Sequence, residues 1–306
     1  MFSQCMEIYD LLDSAYASGE AVQKLFAKRG VAVMLQNVQG EKGETTFLRM
    51  VIPGVNGKKN GGYAPTLGIV GRLGGLGARP DITGFVSDGD GALCVLAAGL
   101  KLADMLTNGD QLSGDVMLCT HICPNAPTVP HEPVRLMGSS VSDADVCRLE
   151  TAYPVDALLS IDATKGNRIL CSRGFAITPT VKEGYILRVS EGMLDIMTRV
   201  TGRLPVVLPI TTQDITPYGN GIYHLNSIMQ PSVMTDAPVV GVAITSEIPV
   251  AGCATGATQL VDVELAARFA VETAKDFTQG NCAFYNPQEF TRLQTLYGDM
   301  KHLRRK

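Results

Sequence analysis

The chain has 306 residues, 45% of them hydrophobic, and 26 Lys+Arg against 30 Asp+Glu give a net charge of -4. One large core with at most a small appendage fits that length, so a single α/β domain over 1–306 is expected. Basic clustering confined to the terminal KHLRRK, read as a solvated tail at 301–306, argues against a nucleic-acid partner, and no apolar run approaches the ~18 residues of a membrane span.

No N-terminal apolar stretch follows a basic segment, so a cytoplasmic protein is expected. The cysteines at 5, 94, 119, 123, 147, 171, 253 and 282 form no CxxC pair and no dense framework, which predicts mainly reduced core thiols.

From the N-terminus, CMEIYDLLDSAYASGEAVQKLFAK spaces Met6, Tyr9, Leu12, Tyr16, Val22 and Leu25 at loosely helical intervals and stops at Arg29-Gly30. VAVMLQNVQGEKGETTFLRMVIPG then offers two strand-like runs around a turn-rich GEKG, a β-hairpin over 31–52. APTLGIVG reads as a buried strand, followed by the Gly-rich GRLGGLGARPD. SDGDGALCVLAAGLKLADMLTNGD fits an amphipathic helix with Asp88 or Asp90 near its start. DVMLCT and ALLSIDA are short apolar runs ending in polar residues, and VSEGMLDIMTRVTG is a helix stopped by Gly202. VVLPI and VVGVAI read as further strands, and DVELAARFAVETAKDF as a closing helix with Asp262 as N-cap. Strands alternating with helices predict a three-layer α/β sandwich with helices on both faces of its sheet.

In such sheets ligands collect beyond the carboxyl ends of the strands, and several polar residues stand there: Arg72, His121, Asp162, Gln213 and Asp214. The stretch THICPNAPTVPHEP concentrates His121, Cys123 and His131. Asp88, His121 and Asp162 together would suit one divalent ion, zinc, manganese or iron, with Cys123 or His131 completing the shell. The plain alternative is a strand end running into a Pro-stiffened loop, with Asp88 and Asp90 as helix caps and Lys165 or Arg168 pairing Asp162.

Arg72, helped by Arg79 or Lys165, has the fork to hold a substrate carboxylate. A thiol route would use Cys253 in the small-residue loop GCATGAT, or Cys123 paired with His121 two residues away on one strand face. His224 would reach the same edge or cap a helix. GRLGGLG lacks the spacing of a phosphate loop, and a tight turn is its ordinary reading.

GRLGGLGARPD, THICPNAP, SIDATKGNR, TPTVKEGYILRVSE and TTQDITPYGNGIYHLNS resemble an uncharacterised prokaryotic family, the domain of unknown function numbered 1177, over the whole chain. More widely, the element order from about 31 to 278 resembles the co-catalytic zinc exopeptidases of the glutamyl and deblocking aminopeptidase branch. It does so through the early hairpin, PTLGIVGRLGG, SDGDGALCVLAAGLKL, ALLSIDAT and EIPVAGCATGATQLVDVEL.

That wider resemblance implies a mixed central sheet, self-association into a homo-oligomer, and a site of about five metal ligands plus a base. Asp88 matches the bridging aspartate and Asp162 another carboxylate ligand. The first ligand's place holds Arg72, the Glu-Glu pair falls in the carboxylate-free THICPNAP, and the last histidine falls near Gly252-Cys253. A hydrolase-like centre rebuilt for a small amide, peptide-like or carboxylated substrate is the leading expectation. A peptidase-fold protein that only binds a small molecule, or serves as an assembly scaffold, is the alternative.

Overall fold

The computed structural model describes residues 1–78, 84–250 and 252–304. In chain order its helices are α1 (Phe2–Asp13), α2 (Gly19–Ala27), α3 (Asp90–Thr107), α4 (Asp143–Glu150), α5 (Glu191–Thr201), α6 (Leu260–Thr278) and α7 (Pro287–Tyr297). Its strands are β1 (Val33–Gly40), β2 (Gly43–Ile52), β3 (Leu67–Gly71), β4 (Val116–Ile122), β5 (Thr128–Val129), β6 (Leu136–Met137), β7 (Ala157–Ala163), β8 (Gly174–Ile177), β9 (Val181–Lys182), β10 (Tyr185–Ile186) and β11 (Val239–Thr245).

The principal sheet runs β1-β2-β4-β3-β7-β11-β9-β10, with β8 paired to β11 and a separate β5-β6 pair. β4, β3, β7 and β11 are parallel, whereas the β1–β2 hairpin joins β4 antiparallel and β8 and β9 join β11 antiparallel, so the sheet is mixed. The four parallel strands are buried, apart from the half-buried Ala163 at the end of β7, as continuous apolar runs with both faces covered require.

Alternation along these strands sorts their side chains. Leu67, Ile69, Val116, Leu118, Leu159, Ile161, Val240 and Val242 join the larger apolar cluster with α1, α2, α3, α5 and α6. Val70, Met117, Cys119, Leu158, Val239 and Ala243 face the other way, onto a smaller cluster closed by Leu208, Ile215, Ile228 and Met229. α4 and short 3-10 turns at Thr212–Ile215 and Gln230–Val233 cover this second face. Helices therefore flank both faces unequally, and the second face is largely loop.

The N-terminal helical stretch is two helices, because Ser18 takes the Ala21 N–H at 3.2 Å and starts α2 afresh. Gly202, at φ 66°, ends α5 as its position predicts. VVLPI does not form a strand: Pro209 lacks an amide hydrogen, and Val207 makes only an isolated bridge to Ile177. Asp262 is not the N-cap of α6, which follows Gln259; the Asp262 carboxyl lies inside the first turn.

The basic tail is docked rather than free as far as it is described, with His302 exposed. Lys301 pairs with Glu183 and Asp236, Arg304 pairs with Asp236 at 2.7 Å, and Leu303 packs on the second core. Among the described residues no helix is long and apolar enough to cross a membrane.

Candidate functional site

Residues 72, 121 and 162 share strand parity with Val70, Cys119 and Leu158, so Arg72, His121 and Asp162 all emerge on the second face at the carboxyl edge of the parallel strands. The Arg72 N–H continues the ladder to the Ile161 carbonyl at 2.8 Å. Asp88, in the 3-10 turn Ser87–Gly89, and Asp90, which opens α3, arrive from the same end.

The Gly-rich loop is what lets these pieces meet. A Cβ on Gly74 would lie 1.6 Å from the His121 carbonyl oxygen, and one on Gly75 2.3 Å from Asp88 Oδ2. GRLGGLG is thus a close-packed turn, as its spacing suggests.

Asp162 accepts the Ala163 N–H at 2.7 Å on one oxygen and the Ser227 hydroxyl on the other. Burial pushes its carboxyl up to about 6, against the pull of Ser227 and Arg72. Asp88 is raised well above the ordinary carboxyl value, first by burial and then by the charges of Asp162 and Asp90, while the Gly75 amide and Cys253 thiol hold it back. Asp88 therefore feels the charge of Asp162. Burial, then Asp88, pushes the Cys253 thiol up to about 11, and its sulfur accepts the Met137 N–H at 3.5 Å.

Asp90 has different partners, Lys165 Nζ at 2.8 Å and Thr258 Oγ1 at 2.7 Å, all within a buried setting. Lys165 pairs with Asp90 rather than with Asp162, and is not free to anchor a substrate. Arg72 is 1% exposed, donates to the Ser227 carbonyl at 2.6 Å, and stands 3.3 Å from the Glu150 carboxylate. Burial pushes Glu150 up to about 7, with Arg72 pulling it back. The guanidinium is thus already committed. Cys147, 3.7 Å from Arg72, and Tyr218 separate it from a cleft of about 490 Å³ that also reaches Asp143, Gln230 and Met234.

His121 is oriented by its neighbours. Nε2 accepts the Gly74 N–H at 3.1 Å, so Nδ1 carries the proton and donates to Thr45 Oγ1 at 2.8 Å, which in turn donates to the Ile122 carbonyl. The ring stacks on Phe47 with centroids 5.0 Å apart. Burial, then the Arg72 charge, lowers its pKa to about 4, so it is neutral. Both ring nitrogens are in use, and His121 does not join Asp88 and Asp162 as a ligand in this arrangement.

Among the described residues no group of three or more His, Cys, Asp or Glu side chains is placed to hold a metal ion. The expected trio reduces to two carboxyls, and the donor set as arranged does not fit a resident divalent ion.

The remaining candidates have local partners. Cys123 is buried, faces the Glu44 carbonyl at 3.4 Å and Ser140 at 3.7 Å, and has its pKa raised by burial. It shares no hydrogen bond with His121 among the described residues. His131 is exposed, 3.2 Å from the Val134 carbonyl, and Gln213 is exposed. Asp214 completes a capping box with Thr211 and accepts the Leu225 N–H. His224 meets Thr216 at 3.2 Å and lies edge-on to Tyr218. Arg168 is exposed, and Arg79 lies outside the described residues.

The Pro-rich stretch after His121 forms the β5–β6 hairpin, which packs on the Gly75 turn beside Asp88 and on Gly252. A Cβ on Gly75 would touch Met137 Cε at 3.0 Å, and Val134 is the nearest neighbour of Gly252. Glu150, Ser227, Thr258 and Met137 complete the site without a motif to mark them. The one hint is that Cys147 and Glu150 lie three apart on α4 and so share a helix face.

This sheet order, with its polar groups gathered at the carboxyl edge, defines a mixed-sheet α/β fold. Consistent with that, the solved structure titled "Bottromycin maturation enzyme BotP in complex with Mn" is similar to this chain at TM-score 0.53 and 12% identity, covering 90% of this chain and 70% of that one. A likeness at that identity speaks for the fold alone. The family model described as "Protein of unknown function (DUF1177)" matches residues 36–306, and the chain belongs to that family. A comparison with curated proteins finds no match.

Proposed function

We propose that the chain is a hydrolase-like enzyme for a small amide, peptide-like or carboxylated substrate, with the Asp88–Asp162 pair at its centre. The observation that carries this reading is that two buried carboxyls from distant segments both have raised proton affinity, Asp88 in part through the charge of Asp162. Near neutral pH, Asp162, at about 6, is mainly ionised, while Asp88, raised well above the ordinary carboxyl value, holds a proton more tightly than a free carboxyl does, which suits it to the acid role.

Such a pair divides the work of hydrolysis. Asp162 takes a proton from the attacking water, Asp88 gives one to the leaving nitrogen, and the pair finishes with as many protons as it began. Arg72 acts as a positioning charge that keeps Asp162 ionised. The half-buried Cys253 marks the approach, where a protonated thiol serves as a hydrogen-bond donor.

BotP is titled as a complex with Mn. A cation here would find Asp88 and Asp162, and among the described residues no third His, Cys, Asp or Glu is placed to ligate with them, so no step is routed through one.

The test is turnover of a panel of aminoacyl amides and N-acyl amino acids by the wild type, Asp88→Asn and Asp162→Asn, before and after chelation. Activity lost in both variants but kept after chelation is the expected result. Activity abolished by chelator would replace the acid–base pair with a metal centre. No turnover of any substrate would favour a small-molecule binding protein. That second reading is supported by how fully His121, Lys165, Asp90 and Arg72 are bonded to one another's neighbours.

A further inference from the structure

The two edges of the principal sheet are treated differently. At one end β9 and β10 are two residues each, flanked by the Lys182–Glu183 pair, and the C-terminal segment lies over them. A Cβ on Gly184 would meet the Met300 carbonyl at 2.2 Å, and Tyr185 donates to the Gly298 carbonyl at 2.6 Å. Short strands, charges and a covering segment are the usual protections of an edge.

The other edge, β1, is long and uncharged, and among the described residues only the start of its outer side is covered, by Gln23 of α2. VMLQNVQG is eight residues long and contains no charged side chain and no proline. It pairs with β2 without a bulge from Val33↔Met50 to Gly40↔Gly43. Gln23 of α2 donates to the Val33 carbonyl at 2.8 Å, which shows that odd-numbered positions turn their main-chain groups away from β2. Leu35, Asn37 and Gln39 share that parity, and among the described residues no other main-chain group bonds to them on that side.

We infer that β1 is a dimerisation edge, and that its occupant is β1 of a second copy, antiparallel across a two-fold axis at Asn37. In this register Leu35 faces Gln39 of the other copy, and each outward N–H and C=O meets its complement. The strand is suited to its own kind. It brings no like charges together, and although Thr46 donates to Asn37 Oδ1 and Gln39 Nε2 donates to the Gly40 and Gly43 carbonyls, each carboxamide keeps a second polar atom for the partner strand. The edge continues into an open cleft of about 820 Å³ bordered by Val33, Met34, Arg49 and Tyr153, where Met34 is 58% exposed. A neighbouring copy would cover that surface as well.

A charge-exchange experiment tests this on the full chain. Sedimentation velocity on wild type is expected to show a dimer. Asn37→Lys and Asn37→Asp, both at an exposed position, are each expected to raise the dimer dissociation constant about tenfold or more, because like charges then face one another at the axis. An equimolar mixture of the two variants is expected to recover the dimer. Circular dichroism melts confirm that both variants fold, and Gln39→Lys serves as a second variant.

A wild type that stays monomeric overturns the proposal. So does a dimer indifferent to both charges, which would be built elsewhere, or a mixture that fails to recover. Binding of an extended peptide from another protein along β1 of a monomeric wild type would assign the edge to a different occupant and overturn it equally.

Discussion

Lys165 Nζ lies 2.8 Å from an Asp90 carboxylate oxygen, with side-chain exposures of 8% and 0%. This pair joins the loop after β7 to the start of α3, and removing one partner leaves a charge buried alone. Lys165→Met is expected to cost about 3–5 kcal/mol in urea unfolding. The double variant with Asp90→Asn is expected to be less destabilised than Lys165→Met alone. Equal stability of wild type and Lys165→Met would show that the pair contributes nothing.

The buried carboxyls make stability depend on pH in an unusual direction. Glu150, raised to about 7, and Asp162, raised to about 6, bind protons more tightly folded than unfolded. Their stabilising contribution is full below the ordinary carboxyl range and is lost as pH rises through about 6 and about 7. His121, lowered to about 4, acts oppositely, with its contribution present above about 6.5 and lost as pH falls toward 4. Between pH 8 and 5.5 the carboxyls, Asp88 included, outnumber the one histidine. The melting temperature by calorimetry is expected to rise as pH is lowered over that interval, and Glu150→Gln is expected to flatten the rise. A melting temperature that falls steadily from pH 8 to 5.5 would contradict the assignment.

Thiol reactivity is expected to follow exposure rather than the acidic cluster. Cys171 is the exposed thiol among the described cysteines, while Cys253, pushed up to about 11, is protonated at neutral pH. Limited iodoacetamide treatment followed by peptide mass spectrometry is expected to find Cys171 modified first, with Cys253 and Cys123 slow. Preferential modification of Cys253 would revive a thiolate mechanism.

The close-packed turn can be probed by contrast. Gly74→Ala sets a methyl against the His121 carbonyl oxygen at 1.6 Å, a backbone atom with nowhere to move. It is expected to destabilise by at least about 1–3 kcal/mol and to disturb the His121 tautomer seen in nitrogen NMR. Gly99→Ala, whose nearest neighbour is a Leu118 methyl at 3.2 Å, is expected to stay within about 1 kcal/mol of wild type.

Much of the central sheet was legible from residue order, because β3, β4, β7 and β11 are continuous apolar runs bounded by polar residues. The standing of Arg72, His121 and Asp162 just past the carboxyl ends of strands likewise suggested one edge for them. The chemistry of that edge was less legible, since His121 is oriented by Gly74, 47 positions away, and Thr45, 76 away. Nothing local shows that Arg72 is already committed to Ser227, 155 positions on. VVLPI misleads for the opposite reason: its composition is that of a strand, and only its proline argues otherwise. α4, with eight residues, is too short for periodicity to stand out.

The unequal covering of the sheet has a consequence for how such a molecule changes over time. Cohesion resides with the helical layer, where large apolar side chains interlock, whereas the polar edge of the sheet is bordered by irregular segments laid across the opposite surface. Those segments can be rewritten without loosening what keeps the chain folded, so a scaffold of this kind can shed one chemistry and acquire another while its architecture persists.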